Sequence, residues 1–197
     1  MKKDLTELVF IIDKSGSMYG MEKDTIGGFN TTIKEQKKVP GDCLVTMVQF
    51  NHQNELKLDR VKLDDVKPMV EHDYVPDGCT ALLDAVGTTV TDIKKKQKEM
   101  DKEERPGQTI LVIITDGYEN SSKVYSYQDV KKLLSKQQEK HGWKVIFMGA
   151  NIDVAAEADR LGVAKDCAMD YANDLNVCYH MTCARVREFR TSPKPRP

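Results

Sequence analysis

The sequence predicts an α/β fold: a doubly wound, mostly parallel central sheet with one antiparallel edge strand and helices on both faces. Two observations predict this class. Short continuous apolar runs recur along the chain, and such runs are typical of strands buried on both faces of a parallel sheet. Segments of helical length separate the runs, and alternating strands and helices favour a doubly wound sheet.

The predicted strands fall into two kinds. The apolar runs are at residues 8–12, 44–50, 110–114 and 145–148. Residues 55–61 instead alternate polar and apolar side chains, and they follow the short polar connection at 51–54. Such a pattern indicates a half-exposed strand, so we expect a hairpin in which 55–61 is the antiparallel edge strand.

Five helices are expected between and after these strands. Their predicted bounds are residues 25–38, 81–102, 126–140, 154–161 and 174–188. Ser126 is a suitable N-cap for the third, because a serine hydroxyl can accept a hydrogen bond from the first turn.

The composition predicts one soluble domain over residues 1–189. The chain has 197 residues, of which 40% are hydrophobic and 31% charged, and its formal net charge is −1. Near-neutral charge argues against nucleic-acid and membrane-surface partners, and we expect a monomer. Residues 190–197 are basic and rich in proline, which predicts a disordered tail.

We expect a cytoplasmic protein. No apolar run approaches the roughly 20 residues that span a bilayer. Asp4 and Glu7 soon follow the basic start, which we therefore interpret as the beginning of the first strand. The five cysteines are odd in number and irregular in spacing, which favours free thiols over a disulfide framework.

Two aspartates lie at the carboxyl ends of predicted strands. Asp13 follows the first apolar run, and Asp116 follows the run at 110–114 after one threonine. In doubly wound sheets, ligands bind outside the carboxyl ends of the strands at the topological switch point. Two carboxylates meeting there would repel each other unless a hard cation such as Mg²⁺ lay between them.

Hydroxyl side chains near these aspartates suit the same cation. Ser15 and Ser17 alternate with Asp13, so an extended turn can point all three side chains the same way. Their neutral oxygens add coordination without adding charge. Thr80 begins a predicted helix, where a threonine is usually only a cap. It becomes a candidate ligand if its loop faces the two aspartates.

These pieces in this order resemble the von Willebrand factor A family and its metal-ion-dependent adhesion site. The resemblance rests on "DKSGS" at 13–17, "DGCTALLDAV" at 77–86 and "ITDGYEN" at 114–120, and it covers residues 6–170. It is nearest to short, stand-alone bacterial and phage members. Cys79, beside Thr80, stands where many members have a small residue, and we expect it to be a small buried side chain.

The resemblance implies a non-enzymatic, Rossmann-like module for protein–protein interaction. Its metal, Mg²⁺ or Mn²⁺, would be held by Asp13, Ser15, Ser17, Thr80 and Asp116. In the family the hydroxyls ligate directly in the bound state, and the aspartates often act through water. An unidentified partner protein would donate an acidic side chain to the metal.

Parts of the sequence suit two other hypotheses. The first is a metal-dependent phosphatase or hydrolase with Asp13 as the reacting group. Such an enzyme needs a second carboxylate two residues later, where this chain has Ser15. The second is a zinc site at Cys178, His180 and Cys183. Their spacing is not that of a common zinc module, so we expect core cysteines and a surface histidine.

Overall fold

The computed structural model describes residues 1–171 and 175–192. Within them, six strands form one sheet in the order β3-β2-β1-β4-β5-β6. The strands are β1 (Lys2–Asp13), β2 (Cys43–Phe50), β3 (Asn54–Lys62), β4 (Pro106–Thr115), β5 (Lys144–Gly149) and β6 (Ala168–Asp170). The helices are α1 (Glu22–Gln36), α2 (Leu82–Glu99), α3 (Tyr127–His141), α4 (Val154–Leu161) and α5 (Leu175–Thr191).

The predicted fold class is confirmed. β1 pairs in parallel with β2 and β4, and β5 pairs in parallel with β4 and β6. β3 pairs antiparallel with β2 at the edge, as its alternating pattern predicts. Helix α1 packs against α5, whereas α3 packs against both α2 and α4, so each face of the sheet has its own helices.

The central strands are buried on both faces, which explains why their sequences are continuous apolar runs. Residues 8–12 of β1 and 110–114 of β4 are all completely inaccessible to solvent. From β1 the chain continues to β2 and β3 on one side of β1, and β4 then pairs with the other side of β1. The switch point therefore lies between the carboxyl ends of β1 and β4, next to Asp13 and Asp116.

The helix ends follow their local chemistry. Ser126 caps α3 as predicted: its Oγ accepts a hydrogen bond from the Asp129 N–H at 3.2 Å, and the Asp129 carboxylate accepts one from the Ser126 N–H at 3.0 Å. At the other end, Gly142 takes the left-handed conformation, with φ of +66°. Helix α2 ends at Glu99, before the predicted 102.

The predicted start of the tail is wrong by at least two residues, because α5 extends to Thr191. Arg190 is buried and donates hydrogen bonds to the carbonyls of Gln36 at 2.7 Å and Gly41 at 3.0 Å. These contacts anchor the last turn of α5 beside the end of α1. The predicted tail residues 193–197 lie outside the described residues.

None of the helices in the described ranges is long and apolar enough to cross a membrane.

Candidate metal site at the carboxyl ends of β1 and β4

Asp13 ends β1 as a fully buried carboxylate with a partner for each oxygen. Its Oδ1 accepts the Ser15 N–H at 2.7 Å, and its Oδ2 accepts the Thr115 hydroxyl at 2.6 Å. Burial raises the pKa of Asp13 to about 6, although the hydrogen bonds from Thr115 and Ser15 act in the opposite direction. The neighbouring strand thus fixes the orientation of this side chain.

The three candidate hydroxyl ligands form a short chain. Ser15 Oγ lies 3.0 Å from Ser17 Oγ, and the Thr80 hydroxyl donates to Ser15 Oγ at 3.0 Å. Helix α2 has Ala81 as its N-cap residue, so Thr80 is not the cap of this helix. Its hydroxyl is instead directed to Ser15.

Backbone hydrogen bonds join the loop after β1 to the loop before α2. The Gly16 N–H donates to the Gly78 carbonyl at 2.9 Å, and the Asp77 N–H donates to the Lys14 carbonyl at 2.7 Å. Gly78 has φ of +77°, and a Cβ there would lie 2.4 Å from His52 Nδ1. Glycine is required at 78 because a side chain would meet both strain and a clash.

Asp116 contributes a buried carboxylate with unsatisfied oxygens. The residue is 2% exposed, and within the described chain neither Oδ1 nor Oδ2 accepts a hydrogen bond. Burial raises the pKa of Asp116, and the nearby Ser17 hydroxyl lowers it in part. Burying a carboxylate without a partner costs free energy, and a bound cation would offset that cost.

Gly117 brings the loop after β4 against the hydroxyl chain. A Cβ at this position would lie 3.2 Å from Ser17 Oγ and 3.6 Å from Thr80 Oγ1. A side chain at this position would therefore crowd the hydroxyls of Ser17 and Thr80. The structure thus brings together all five residues that the sequence singled out: Asp13, Ser15, Ser17, Thr80 and Asp116.

Their chemistry fits a hard divalent cation. Two carboxylates supply charge that balances the ion, and three hydroxyls supply neutral oxygens. The unsatisfied oxygens of Asp116 are the particular feature that a cation would satisfy.

Several supporting residues were not identified from the sequence. Asn51 donates from Nδ2 to the Asp77 carbonyl at 2.8 Å and accepts the Ala81 N–H on its own carbonyl at 2.8 Å. Tyr74 donates its hydroxyl to the Asp13 carbonyl. Asn120 binds the backbone of Thr80. Asparagine and tyrosine in loops are too common to signal such roles, although Asn120 does lie in the "TDGYEN" segment.

Glu119 and Asp84 hold the loop after β4 against helix α2. Glu119 Oε2 accepts the Leu83 N–H at 2.9 Å, in the first turn of the helix. Asp84 accepts the backbone N–H groups of Lys123, Val124 and Tyr125 at 2.8–2.9 Å. These contacts fix the position of Asp116 and Gly117 relative to Thr80.

The cysteines differ from expectation in one respect: Cys79 is exposed, not buried. It directly follows Gly78 in the loop before α2. No disulfide joins the five cysteines, all of which the structure describes.

The described residues give no support to a zinc site. Cys183 Sγ donates to Thr32 Oγ1 at 3.2 Å, and Cys178 Sγ donates to the Asp170 carbonyl at 3.3 Å, while His180 is exposed. Across the described ranges, no group of three or more His, Cys, Asp or Glu side chains could hold a metal ion. The candidate site contains only two such residues, and its other three are hydroxyls.

The fold and the site together define a class: a doubly wound α/β domain with an oxygen-rich candidate metal site at its switch point. The model of the von Willebrand factor type A domain matches residues 7–178. The chain belongs to this family. No curated protein matches it.

Solved structures show the same fold at low identity. Proximal thread matrix protein 1 from the mussel byssus has a TM-score of 0.66 and 15% identity, over 98% of this chain and 48% of that one. A further structure of that protein, with a zinc-occupied MIDAS motif, has a TM-score of 0.58 and 15% identity, over 93% and 47%. BatB of Bacteroides thetaiotaomicron has a TM-score of 0.59 and 16% identity, over 95% and 100%. This chain spans about half the length of the mussel protein.

Proposed function

We propose that this domain is a metal-dependent protein-interaction module and not an enzyme. Asp13, Ser15, Ser17, Thr80 and Asp116 hold Mg²⁺ or Mn²⁺, and a partner protein supplies a carboxylate to the remaining position. The observation that carries the proposal is the Asp116 carboxylate, which is buried without a hydrogen-bond partner among the described residues. The zinc-occupied motif of the mussel protein supports a divalent metal at such a site.

Charge balance supports a carboxylate as the external ligand. A divalent cation between Asp13 and Asp116 gives a site that is near neutral, and the hydroxyls of Ser15, Ser17 and Thr80 add no charge. Such a cation still attracts an anionic oxygen. Hard cations such as Mg²⁺ take oxygen ligands and usually keep exchangeable water in part of their coordination shell.

Calorimetry with Mn²⁺ and Mg²⁺ tests the metal site. We expect one ion per chain, and Asp13→Ala should weaken its binding at least tenfold. Asp159→Ala, which removes an exposed carboxylate on α4, is the matched control and should bind as the original chain does. Unchanged affinity in Asp13→Ala would show that the site is assigned to the wrong residues.

A pull-down tests the interaction. The intact chain should retain a partner in Mn²⁺ and release it in EDTA, and Ser15→Ala should weaken retention. A partner that stays bound in EDTA would contradict an interaction through the metal.

The enzyme alternative lacks a residue that it needs. An aspartate nucleophile of this kind works with a second carboxylate two residues later as general acid, and that position is Ser15 in this chain. An assay of p-nitrophenyl phosphate hydrolysis tests this alternative. Hydrolysis by the original chain that is lost in Asp13→Asn would favour the enzyme.

We further propose a monomer in the cytoplasm that binds neither nucleic acid nor membrane. The five cysteines, none of them in a disulfide, suit a reducing compartment.

A further inference from the structure

Three large apolar side chains are exposed on the loops that carry the candidate metal ligands. Tyr19 is 64% exposed, Val75 is 60% exposed and Tyr118 is 51% exposed. We call these three residues the apolar rim. Exposed aromatic and aliphatic side chains grouped around a binding site are typical of surfaces that contact another protein.

Each member of the rim is tied to a different part of the site. Tyr19 lies two residues after Ser17, and Tyr118 lies two residues after Asp116. Val75 follows Tyr74, whose hydroxyl donates to the Asp13 carbonyl. The rim therefore comes from the same three loops as the candidate ligands.

The two tyrosines belong to loops in contact. A Cβ at Gly117 would lie 3.2 Å from Ser17 Oγ, so the segments that lead to Tyr118 and Tyr19 touch at the hydroxyl chain. The Tyr118 hydroxyl accepts the Asp153 N–H at 2.9 Å, at the start of α4. This bond fixes the half-exposed ring in place, which lowers the entropic cost of binding against it.

Two charged side chains on or next to these loops are already engaged. Lys14 forms an ion pair with Glu55, and Glu119 accepts hydrogen bonds from the Ser121 and Ser122 N–H groups. Asp77 is an exposed carboxylate on the loop between Val75 and Thr80. The Asp77 carboxylate would repel a second acidic group of a partner, whereas apolar residues of the partner would pack on the rim.

We propose that the apolar rim selects a partner segment in which a single aspartate or glutamate lies next to aromatic or large aliphatic residues. The acidic side chain binds the metal, and its neighbours pack on Tyr19, Val75 and Tyr118. This inference rests on the proposed function, because it names the kind of protein segment that the metal site accepts.

Three capped pentapeptides test the proposal by titration of the ¹⁵N-labelled chain in saturating Mg²⁺. The first has aspartate between two phenylalanines, with glycine at each end. The second replaces the phenylalanines with glycine, and the third keeps them but replaces aspartate with asparagine. We expect the first to bind about fivefold more tightly than the second, from partial burial of one ring. The third should bind more weakly than the first.

Variants connect that preference to the rim. Tyr118→Ser and Tyr19→Ser should each reduce the advantage of the phenylalanine peptide, while Tyr118→Phe, which keeps the ring, should retain most of it. Met181→Ser is the control, since Met181 is 52% exposed on α5. The Mg²⁺ affinity of each variant, measured by calorimetry, shows whether the metal site itself has changed.

The outcomes separate the two proposals. If neither aspartate peptide binds in Mg²⁺, the proposed function fails and the rim proposal fails with it. If the two bind equally, the rim proposal alone is overturned. A preference that survives in Tyr118→Ser and Tyr19→Ser also overturns it, as does an asparagine peptide that binds as tightly as the aspartate peptide.

Discussion

Thr80 and Asn120 hold each other through two hydrogen bonds. The Thr80 N–H donates to Asn120 Oδ1 at 2.9 Å, and the Asn120 N–H donates to the Thr80 carbonyl at 3.0 Å. The pair joins the loop after β4 to the residue that precedes α2. It fixes the backbone of Thr80, so the threonine hydroxyl reaches Ser15 from a set position.

Asn120→Ala should therefore weaken metal binding. The substitution removes the acceptor for the Thr80 N–H, so the threonine hydroxyl loses its fixed direction. Partners that orient metal ligands typically contribute about tenfold or more to affinity. We expect a loss of that size in Mn²⁺ affinity by calorimetry.

Asn30→Ala is the matched control for Asn120→Ala. Asn30 also makes a reciprocal pair with a backbone, here through its side chain alone: Nδ2 donates to the Met69 carbonyl at 2.9 Å, and Oδ1 accepts the Met69 N–H at 2.8 Å. Its loss should lower the free energy of unfolding and leave Mn²⁺ affinity unchanged. Equal Mn²⁺ affinity in both variants would mean that Asn120 has only a structural role.

Asp116→Asn should stabilise the metal-free protein and abolish its stabilisation by Mg²⁺. The buried carboxylate costs free energy without a cation, and a neutral amide costs less, so we expect a gain of about 1 kcal/mol in EDTA. Excess Mg²⁺ should raise the stability of the original chain but not that of Asp116→Asn, because a bound ligand stabilises the folded state.

Urea unfolding with EDTA and with Mg²⁺ measures both effects of Asp116→Asn. Asp159→Asn, at an exposed carboxylate on α4, is the control and should change neither value. An Asp116→Asn protein that is less stable than the original chain in EDTA would show that the carboxylate is satisfied without metal.

The sequence predicted most of the fold because the central strands are buried on both faces. Their continuous apolar runs located β1, β2, β4 and β5, and the alternating segment located β3. β6 was not predicted, since "AMD" is too short to show a period. β1 begins before its apolar run, at Lys2, in keeping with the interpretation of the basic start as part of the first strand. What the sequence did not show is that the polar residues Thr6 and Glu7 are buried. Their burial depends on partners that are distant in sequence.

The candidate site could be predicted from the sequence where its residues lie at the ends of recognisable strands. Asp13 and Asp116 each follow a recognisable strand, and parallel neighbours place their carboxyl ends together. Whether Thr80 was a cap or faced the serines depended on where its loop lies in three dimensions. The same holds for Asn120 and Asn51, whose roles come from backbone groups that no sequence pattern specifies.

Gly28→Ala should destabilise the contact between α1 and α5. A Cβ at Gly28 would lie 2.0 Å from the ring of the buried Tyr179, which cannot move without disturbing the core. Overpacking of this kind costs about 1–3 kcal/mol. Gly27→Ala, where a Cβ meets nothing within 4 Å, should instead add about 0.5–1 kcal/mol through helix propensity.

Thermal and urea unfolding compare the two glycine variants under the same conditions. Because the substitutions are chemically identical and adjacent, their difference reports the Tyr179 contact. Equal stability in the two proteins would mean that α5 does not pack on α1 at this position.

Glu7 should make stability depend on pH. It is fully buried in β1, where Arg60 Nε lies 2.8 Å from Oε1 and Gln97 Nε2 donates to Oε2 at 2.7 Å. Burial nevertheless raises its pKa. A folded pKa above the unfolded value of about 4.3 gives stability that is fully present below that value. This contribution is lost as pH rises through the folded pKa.

Glu7→Gln should remove this loss, because glutamine stays neutral. The free energy of unfolding of the variant, relative to the original chain, should therefore increase from pH 4 to pH 7 in EDTA. Asp13 and Asp116 titrate in both proteins, so the difference isolates Glu7. Glu35→Gln is the control of opposite sign: Lys38 lowers the pKa of this exposed carboxyl, so its contribution is lost as pH falls. A constant difference for Glu7→Gln would mean that Arg60 and Gln97 fully offset burial.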